Sequence, residues 1–182
     1  MSEVKNKNNR LTLSEVRLSF PSLFKKTSFN GGDGKFEATF LINKKTQANQ
    51  IKMLQEAIKV AVSEKSLKGE LEMCLKDGDV KVESNGGLYA EYSGCMYLKA
   101  KTSRKPTTIN KDKSEVVEED DVLYSGCYVN ARISFFGYDK IKKGVSCNLF
   151  GVQKAKEGEM LTTMVDVRDE FEEVNETDEL FK

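Results

Sequence analysis

Apolar and polar residues alternate in several short runs of this chain, which is the period of a β-strand with one buried face. The clearest run is YVNARISFFGY at 128–138, and a basic hairpin connection, DKIKKG, leads from it to VSCNLFGVQKA at 145–155. Other β-rich runs lie at 11–20, 36–42 and 97–101. We expect the first of these to end at Pro21, and residues 66–91 and 110–122 to be irregular.

One segment, from about residue 46 to 63, follows a helical period instead. Ile51, Leu54 and Ile58 recur on one face together with Ala61 and Val62, opposite a polar face. This predicts a single amphipathic helix that caps a β-structure. Strands and helices do not alternate, so a parallel sheet is disfavoured. The predicted fold is mainly β, an OB-fold-like Greek-key barrel with one helix.

The composition disfavours several kinds of catalytic and metal-binding site. The chain has no histidine, the commonest general base, and its four cysteines are far apart without a CxxC pair. We expect Cys74, Cys95, Cys127 and Cys147 to pack as small apolar side chains, with no metal, cofactor or disulfide. No apolar run reaches the roughly 20 residues of a membrane span, and the polar N-terminus lacks a signal-peptide core. A cytoplasmic protein without membrane contact is predicted.

Charge divides the chain into a basic body and an acidic tail. Residues 165–182 hold eight acidic and two basic residues, which leaves 27 of the 29 basic and 21 of the 29 acidic residues in 1–164. A basic body suits a polyanionic ligand, and an acidic tail suits competition with that ligand or recruitment of a partner. The predicted organisation is a flexible polar arm (1–9), one OB-fold nucleic-acid-binding domain (10–163) and a disordered acidic tail (164–182).

The outward faces of two predicted strands combine aromatic rings with cations. If Cys127, Val129 and Ile133 face the core, then Tyr128, Asn130, Arg132 and Phe136 face outward. Rings that stack on unpaired bases, beside cations that contact phosphates, are typical of single-stranded nucleic-acid binding. The predicted nucleic-acid-binding residues are Tyr97, Lys99, Lys101, Arg104, Lys105, Tyr128, Asn130, Arg132, Phe136, Lys140, Lys142, Lys143 and Phe150.

The tetrapeptide Tyr-Ser-Gly-Cys occurs twice, at 92–95 and 124–127. Counting alternation from each following strand puts Cys127 on a core face and Cys95 on the opposite face. Two thiols in opposed registers do not make a duplicated redox or metal element. We interpret each copy as the entry to a strand, where glycine permits a bend.

Two other functions stay open at this stage. The acidic residues within 115–121 could serve a divalent-metal nuclease, although a solvated loop is the simpler interpretation. An OB-like protein-interaction or inhibitory module without nucleic-acid binding is the main alternative. The run NGGDG lacks the Lys-Ser/Thr of a phosphate-binding loop and is predicted to be a turn.

Three segments, RLSFPSLF (17–24), GCYVNARISFFGYD (126–139) and KKGVSCNLFGVQKAKEGE (142–159), resemble a family of phage-encoded single-stranded DNA-binding proteins with an OB-fold. The resemblance implies a non-enzymatic protein that binds single strands without sequence preference during replication and recombination, in the cytoplasm of the infected bacterial host. It also implies an acidic tail that screens the DNA groove and docks replication and recombination proteins. The corresponding tail residues are Asp178, Glu179, Leu180 and Phe181, and the final Lys182 departs from a strictly aromatic terminus. A homodimer is one alternative for the oligomeric state.

Overall fold

Five strands of this chain close into a barrel, and shorter strands extend its edges. The structure, a computed structural model, describes residues 10–27, 34–161 and 171–174. Its elements in chain order are β1 (Arg10–Thr27), β2 (Lys35–Asn43), α1 (Ala48–Lys65), β3 (Glu72–Met73), β4 (Leu75–Asp77), α2 (Gly78–Ser84), β5 (Cys95–Thr102), β6 (Thr107–Ile109), β7 (Tyr128–Tyr138) and β8 (Gly144–Lys156). Two 3₁₀ turns lie at Ala90–Tyr92 and Glu118–Asp120.

The pairing of the strands is that of an OB-fold. β1 pairs antiparallel with β2 and β7, β2 pairs antiparallel with β5, and β7 pairs antiparallel with β8. A parallel bridge between Lys101 of β5 and Asn148 of β8 closes the ring. β4 pairs with β5 at residues 96–98, ahead of this bridge, and β3 and β6 pair with β8. The predicted Greek-key barrel is therefore confirmed.

The core follows the predicted alternation. Val129, Ala131 and Ile133 of β7 are buried in one apolar cluster with Leu98 and Ala100 of β5, while the residues between them are half-buried or exposed. Helix α1 covers one end of the barrel through three buried residues, Leu54, Ile58 and Ala61. The predicted helix is thus confirmed, two residues further along the chain than expected.

Glycine is required where α1 crosses β7. A Cβ on Gly137 would lie 2.9 Å from the Lys65 Cβ and 3.0 Å from the Leu67 Cδ1. The helix therefore approaches the strand closely only because position 137 has no side chain.

Two predictions about local structure were wrong. β1 does not end at Pro21 but runs on to Thr27, because its register with β2 shifts between Ser19 and Ser22. An irregularity of this kind accommodates a proline that has no N–H to donate. Residues 66–91 are also not irregular throughout, since they form β3, β4 and α2. These elements have two, three and seven residues, too few for a sequence period to be visible.

All four cysteines are free thiols, and two of them are fully buried as predicted. Cys127 and Cys147 are buried, whereas Cys74 and Cys95 are half-buried. Burial raises the pKa of Cys74 to about 12, so this thiol stays protonated at neutral pH. Among the described residues, no cluster of acidic or cysteine side chains could hold a metal ion. Within the same ranges, no helix is long and apolar enough to cross a membrane.

Both Tyr-Ser-Gly-Cys copies enter strands, as expected. Gly94 has φ +73° just before β5, and Gly126 has φ +114° just before β7. Residues with positive φ favour glycine, which explains why both copies carry one. The predicted arm (1–9) lies outside the described residues, as does the predicted tail except for 171–174. Asp178, Glu179, Leu180 and Phe181 are therefore not described.

Candidate nucleic-acid interface

A groove follows the line where β5 and β8 close the barrel. The bridge from Lys101 to Asn148 places the outward row of β5 beside the outward row of β8. The resulting hollow has a volume of about 450 Å³. Its charged and aromatic lining residues are Lys35, Lys101, Arg104, Lys105, Phe136 and Phe150. We call this hollow the basic groove.

Two rings in the basic groove are open to solvent. Phe136 of β7 is 42% exposed and Phe150 of β8 is 38% exposed. Strand alternation forces both outward, because their neighbours Phe135 and Leu149 belong to the core. The Arg10 guanidinium lies 4.8 Å from the centroid of the Phe150 ring, a cation–π distance. The groove thus offers two partly exposed rings, and a cation lies at the face of one of them.

The cations at the rim are carried by a fixed turn after β5. The Thr102 hydroxyl donates to the Arg104 carbonyl at 3.0 Å and accepts from the Arg104 N–H at 3.1 Å. Pro106 is buried beneath the turn, while Arg104 and Lys105 are exposed. The Lys105 Nζ lies 5.7 Å from the Phe24 ring centroid. This turn holds two positive charges along one side of the groove.

A second hollow of about 310 Å³ adjoins the basic groove, with Phe150 lining both. Asn130 is held there from two sides, because its Oδ1 accepts from the Glu15 N–H at 3.0 Å and its Nδ2 donates to Gln153 Oε1 at 3.1 Å. The Arg132 guanidinium donates from Nη1 to the Thr12 hydroxyl at 2.9 Å and is otherwise exposed. Asn130 is structural in this arrangement, whereas Arg132 presents charge.

A third hollow, of about 260 Å³, continues along β5 on the other side of Lys101. Tyr97, Lys99 and Tyr138 line it with Lys101. Partial burial raises the pKa of Tyr97, so the phenol is neutral at pH 7. The three hollows form one path, because Phe150 joins the first two and Lys101 joins the basic groove to the third.

The hairpin between β7 and β8 lies beside this third hollow. Lys140, Lys142 and Lys143 are all exposed. The Lys142 ammonium is 3.6 Å from Oε1 of Glu72. The Tyr138 hydroxyl donates a hydrogen bond of 2.9 Å to Oε2 of the same carboxylate. The hydroxyl first and then the ammonium lower the pKa of Glu72. Glu72 therefore offsets part of the positive charge of the hairpin.

Tyr128 lies at the opposite end of β7 from the basic groove. It is eight residues from Phe136 on β7, a separation of about 27 Å along a strand. Its ring has the Lys156 Nζ at 4.7 Å and the Arg17 guanidinium carbon at 5.8 Å. A Cβ on Gly158 would lie 2.9 Å from the Tyr128 ring. We call this region, with Arg17, Tyr124, Gly126 and the segment 156–161, the Tyr128 corner.

The structure thus brings Lys101, Arg104, Lys105, Phe136 and Phe150 into one groove. It places Tyr97, Lys99 and Arg132 in the adjoining hollows, and Lys142 of the hairpin beside Glu72 at the third hollow. Sequence reasoning missed Arg10 and Lys35, which stand at the starts of β1 and β2. The only available signal was their position before two predicted strands, and long-range pairing rather than local pattern brings them to the groove.

Comparison with known proteins identifies the family. Residues 9–181 match the family described as "Enterobacter phage Enc34, ssDNA-binding protein". The chain belongs to this family. The family consists of binding proteins and is not enzymatic. A curated relative, "Putative protein p50" of Acyrthosiphon pisum secondary endosymbiont phage 1, is 37% identical over 166 residues, covering 84% of this chain and 86% of that protein.

Solved structures agree with this assignment. The single-stranded DNA-binding protein of bacteriophage Enc34 in complex with ssDNA is 26% identical with a TM-score of 0.76, over 86% of this chain and 91% of that chain. Another structure of the same phage protein is 27% identical with a TM-score of 0.74, over 91% of this chain and 92% of that chain. Gp2.5 of bacteriophage T7, at 18% identity and a TM-score of 0.54 over 91% and 98%, shows a shared fold alone.

Proposed function

We propose that this protein binds single-stranded DNA without sequence preference, through the basic groove. The observation that carries the proposal is the pair of open rings, Phe136 and Phe150, set among four cations on the surface of a barrel whose family includes a protein solved with ssDNA. Membership of the family supports the ligand class, and the groove supports the location.

Binding in such a groove combines two physical contributions. Unpaired bases stack on exposed rings, which stabilises the complex by about 1–3 kcal/mol per base and does not depend on base identity. Lys101, Arg104 and Lys105 neutralise phosphates and release counterions, which makes the affinity sensitive to salt. Lysine and arginine side chains that track a backbone have no means of distinguishing one base edge from another, so sequence independence follows.

The adjoining hollows extend this path. Arg132 supplies charge on the β7 side, and Tyr97 with Lys99 supplies a ring and a cation on the β5 side. Lys140, Lys142 and Lys143 contribute charge from the hairpin. Asn130 acts by holding the β1–β7 junction. Tyr128 contributes least because it lies at the opposite end of β7 from Phe136 and the segment 156–161 approaches its ring closely.

We assign the tail a role in competition and recruitment. The eight acidic residues of 165–182 resemble DNA in charge and would compete for the groove at low salt. Asp178, Glu179, Leu180 and Phe181 would dock replication and recombination proteins in the cytoplasm of the phage's bacterial host. One chain forms the whole basic groove, so a monomer suffices for binding, and the homodimer stays a prediction for sedimentation analysis.

Fluorescence anisotropy with labelled oligo-dT at two salt concentrations tests the groove. The double variant Phe136→Ala, Phe150→Ala should weaken binding at least about tenfold, since two stacking contacts are removed. Val60→Ala, on the exposed side of α1, is the matched control and should bind as wild type does. Wild-type log affinity should fall by about 0.7 per log unit of salt for each phosphate contact.

Unchanged affinity in the double phenylalanine variant would place the interface elsewhere. Wild-type protein that binds no oligonucleotide at either salt concentration would instead favour a protein-interaction module. Duplex DNA and RNA of matched length, included as competitors, would establish the preference for single-stranded DNA.

A further inference from the structure

A line of aromatic rings leaves β5 and crosses the outer face of the barrel toward β1. The ring centroids of Tyr97 and Tyr92 are 5.2 Å apart, those of Tyr92 and Tyr89 are 5.3 Å apart, and those of Tyr89 and Phe20 are 6.2 Å apart. Tyr92 is buried and its hydroxyl is 3.0 Å from that of Ser19. Tyr89 is half-buried, and Phe20, at the far end, is 43% exposed.

A cation accompanies these rings. The Lys81 Nζ, on α2, lies 4.5 Å from the Tyr89 centroid and 5.4 Å from the Tyr97 centroid. Two nearby carboxylates, Asp77 and Asp79, are each 2.7 Å from the Lys44 ammonium, which offsets one of their two negative charges. The rings and the Lys81 ammonium therefore combine stacking surfaces with one cation, fewer than the basic groove offers.

Phe20, the outermost ring of the line, has a strained backbone conformation. Phe20 has φ +46°, a conformation that bulky residues rarely adopt. Its N–H donates to the Ser125 hydroxyl at 3.3 Å, and it sits where the β1–β2 register shifts. Phe20 thus combines an uncommon backbone conformation with an exposed ring, and this combination favours a functional role for the ring.

We propose that Phe20, Tyr89 and Lys81 form a second stacking platform for the single strand that leaves the basic groove along β5. This inference rests on the proposed function. Lys101, Lys99 and Tyr97 share the outward face of β5 at intervals of about 7 Å, so they connect the groove to the rings. The occupant is a continuation of the same DNA strand, with bases on Phe20 and Tyr89 and a phosphate at Lys81.

The test compares oligo-dT of about 8 and about 20 nucleotides, which bracket much of the range of site sizes known for single OB-folds. The double variant Phe20→Asn, Tyr89→Leu removes both rings conservatively. Asparagine tolerates positive φ, and leucine keeps apolar packing on Tyr92. The 20-mer should bind about five- to tenfold more weakly, since stacking contacts are lost. The 8-mer, held in the groove, should bind as it does to wild type.

Equal wild-type and variant affinities for the 20-mer would overturn the platform, as would an equal loss with both lengths. The variant Phe136→Ala, Phe150→Ala distinguishes failure of the platform from failure of the proposed function, because it should weaken binding of both the 8-mer and the 20-mer. If that variant binds both lengths normally, the groove itself is wrong. Lys81→Ala provides a second check, and it should reduce the salt dependence of 20-mer binding by about one phosphate contact.

Discussion

The basic groove and the Tyr128 corner share one pattern of outward aromatic and cationic residues, but the groove is an open surface and the corner is a structural junction. In the groove the Phe136 and Phe150 rings are open, and the rim cations have no carboxylate within ion-pair distance among the described residues. In the Tyr128 corner the Arg17 guanidinium donates to the Gly126 carbonyl at 3.2 Å and to the Glu159 carbonyl at 2.6 Å. The same residue types therefore present a surface in one place and hold chain segments together in the other.

The corner also holds the segment from residue 157 to 161. The Leu161 N–H donates to the Ser125 carbonyl at 2.9 Å, and the Tyr124 hydroxyl donates to Glu157 at 2.6 Å. That hydroxyl also accepts from the Gly158 N–H at 3.1 Å. One copy of the repeated tetrapeptide thus serves as an anchor for the last described residues before the tail, beyond its role as a strand entry.

The largest effect should come from substituting glycine in the corner. Gly126→Ala would put a Cβ against the Glu159 carbonyl oxygen and 2.8 Å from the Leu161 nitrogen, at φ +114°. We expect a loss of about 3–5 kcal/mol in the free energy of unfolding, since strain and the displaced segment add together. Urea denaturation measures it.

Gly94→Ala is the matched control in the other tetrapeptide. Its φ is +73° but nothing lies within 4 Å of the added Cβ. Only the backbone penalty of about 1–2 kcal/mol should appear. Equal losses in the two variants would contradict the anchoring role of Gly126.

Charge reversal should affect binding most in the groove. Lys101→Glu with Arg104→Glu replaces two cations at the rim by two anions, and we expect oligo-dT affinity at low salt to fall on the order of 100-fold. The comparison is Lys156→Glu in the Tyr128 corner, which should change affinity less than about threefold. A comparable loss from Lys156→Glu would mean that the DNA path also reaches the corner.

Removing the tail should give a smaller effect of opposite sign. Deletion of residues 165–182 takes away a net charge of −6, that is, eight acidic against two basic residues. Oligo-dT binding should tighten by about three- to tenfold at low salt and converge with wild type at high salt, because screening weakens tail competition. Equal affinities at low salt would restrict the tail to partner docking or solubility.

The smallest expected effect concerns the hairpin. Glu72→Gln removes the carboxylate 3.6 Å from the Lys142 ammonium and should tighten binding about twofold, as one cation is released toward DNA. The pKa of Glu72 is lowered, so this carboxylate is charged throughout the range above its ordinary value. Wild-type affinity should therefore show no step from Glu72 between about pH 5 and 8. Weaker binding by the glutamine variant would show that Glu72 positions the hairpin instead.

Regular elements were predictable where they were long. The alternation in 128–138 predicted both ends of β7 and its core-facing row, because the residues of that row are buried along the strand. The period of 46–63 predicted α1 to within two residues. The prediction that residues 66–91 are irregular was wrong because their strands are only two and three residues long. The prediction that β1 ends at Pro21 was wrong because the register shift that accommodates the proline is not visible in the local sequence.

The amino-acid sequence by itself determined which side chains face outward, since alternation along a strand is a property of the local chain. It also determined the separation of a basic body from an acidic tail. Only the tertiary structure decided which outward residues meet. The β5–β8 bridge gathers Lys101, Phe136 and Phe150 into one groove, and the corner encloses Tyr128 instead. The reason is physical: register and barrel closure are set by contacts between residues far apart in sequence, which no local period encodes.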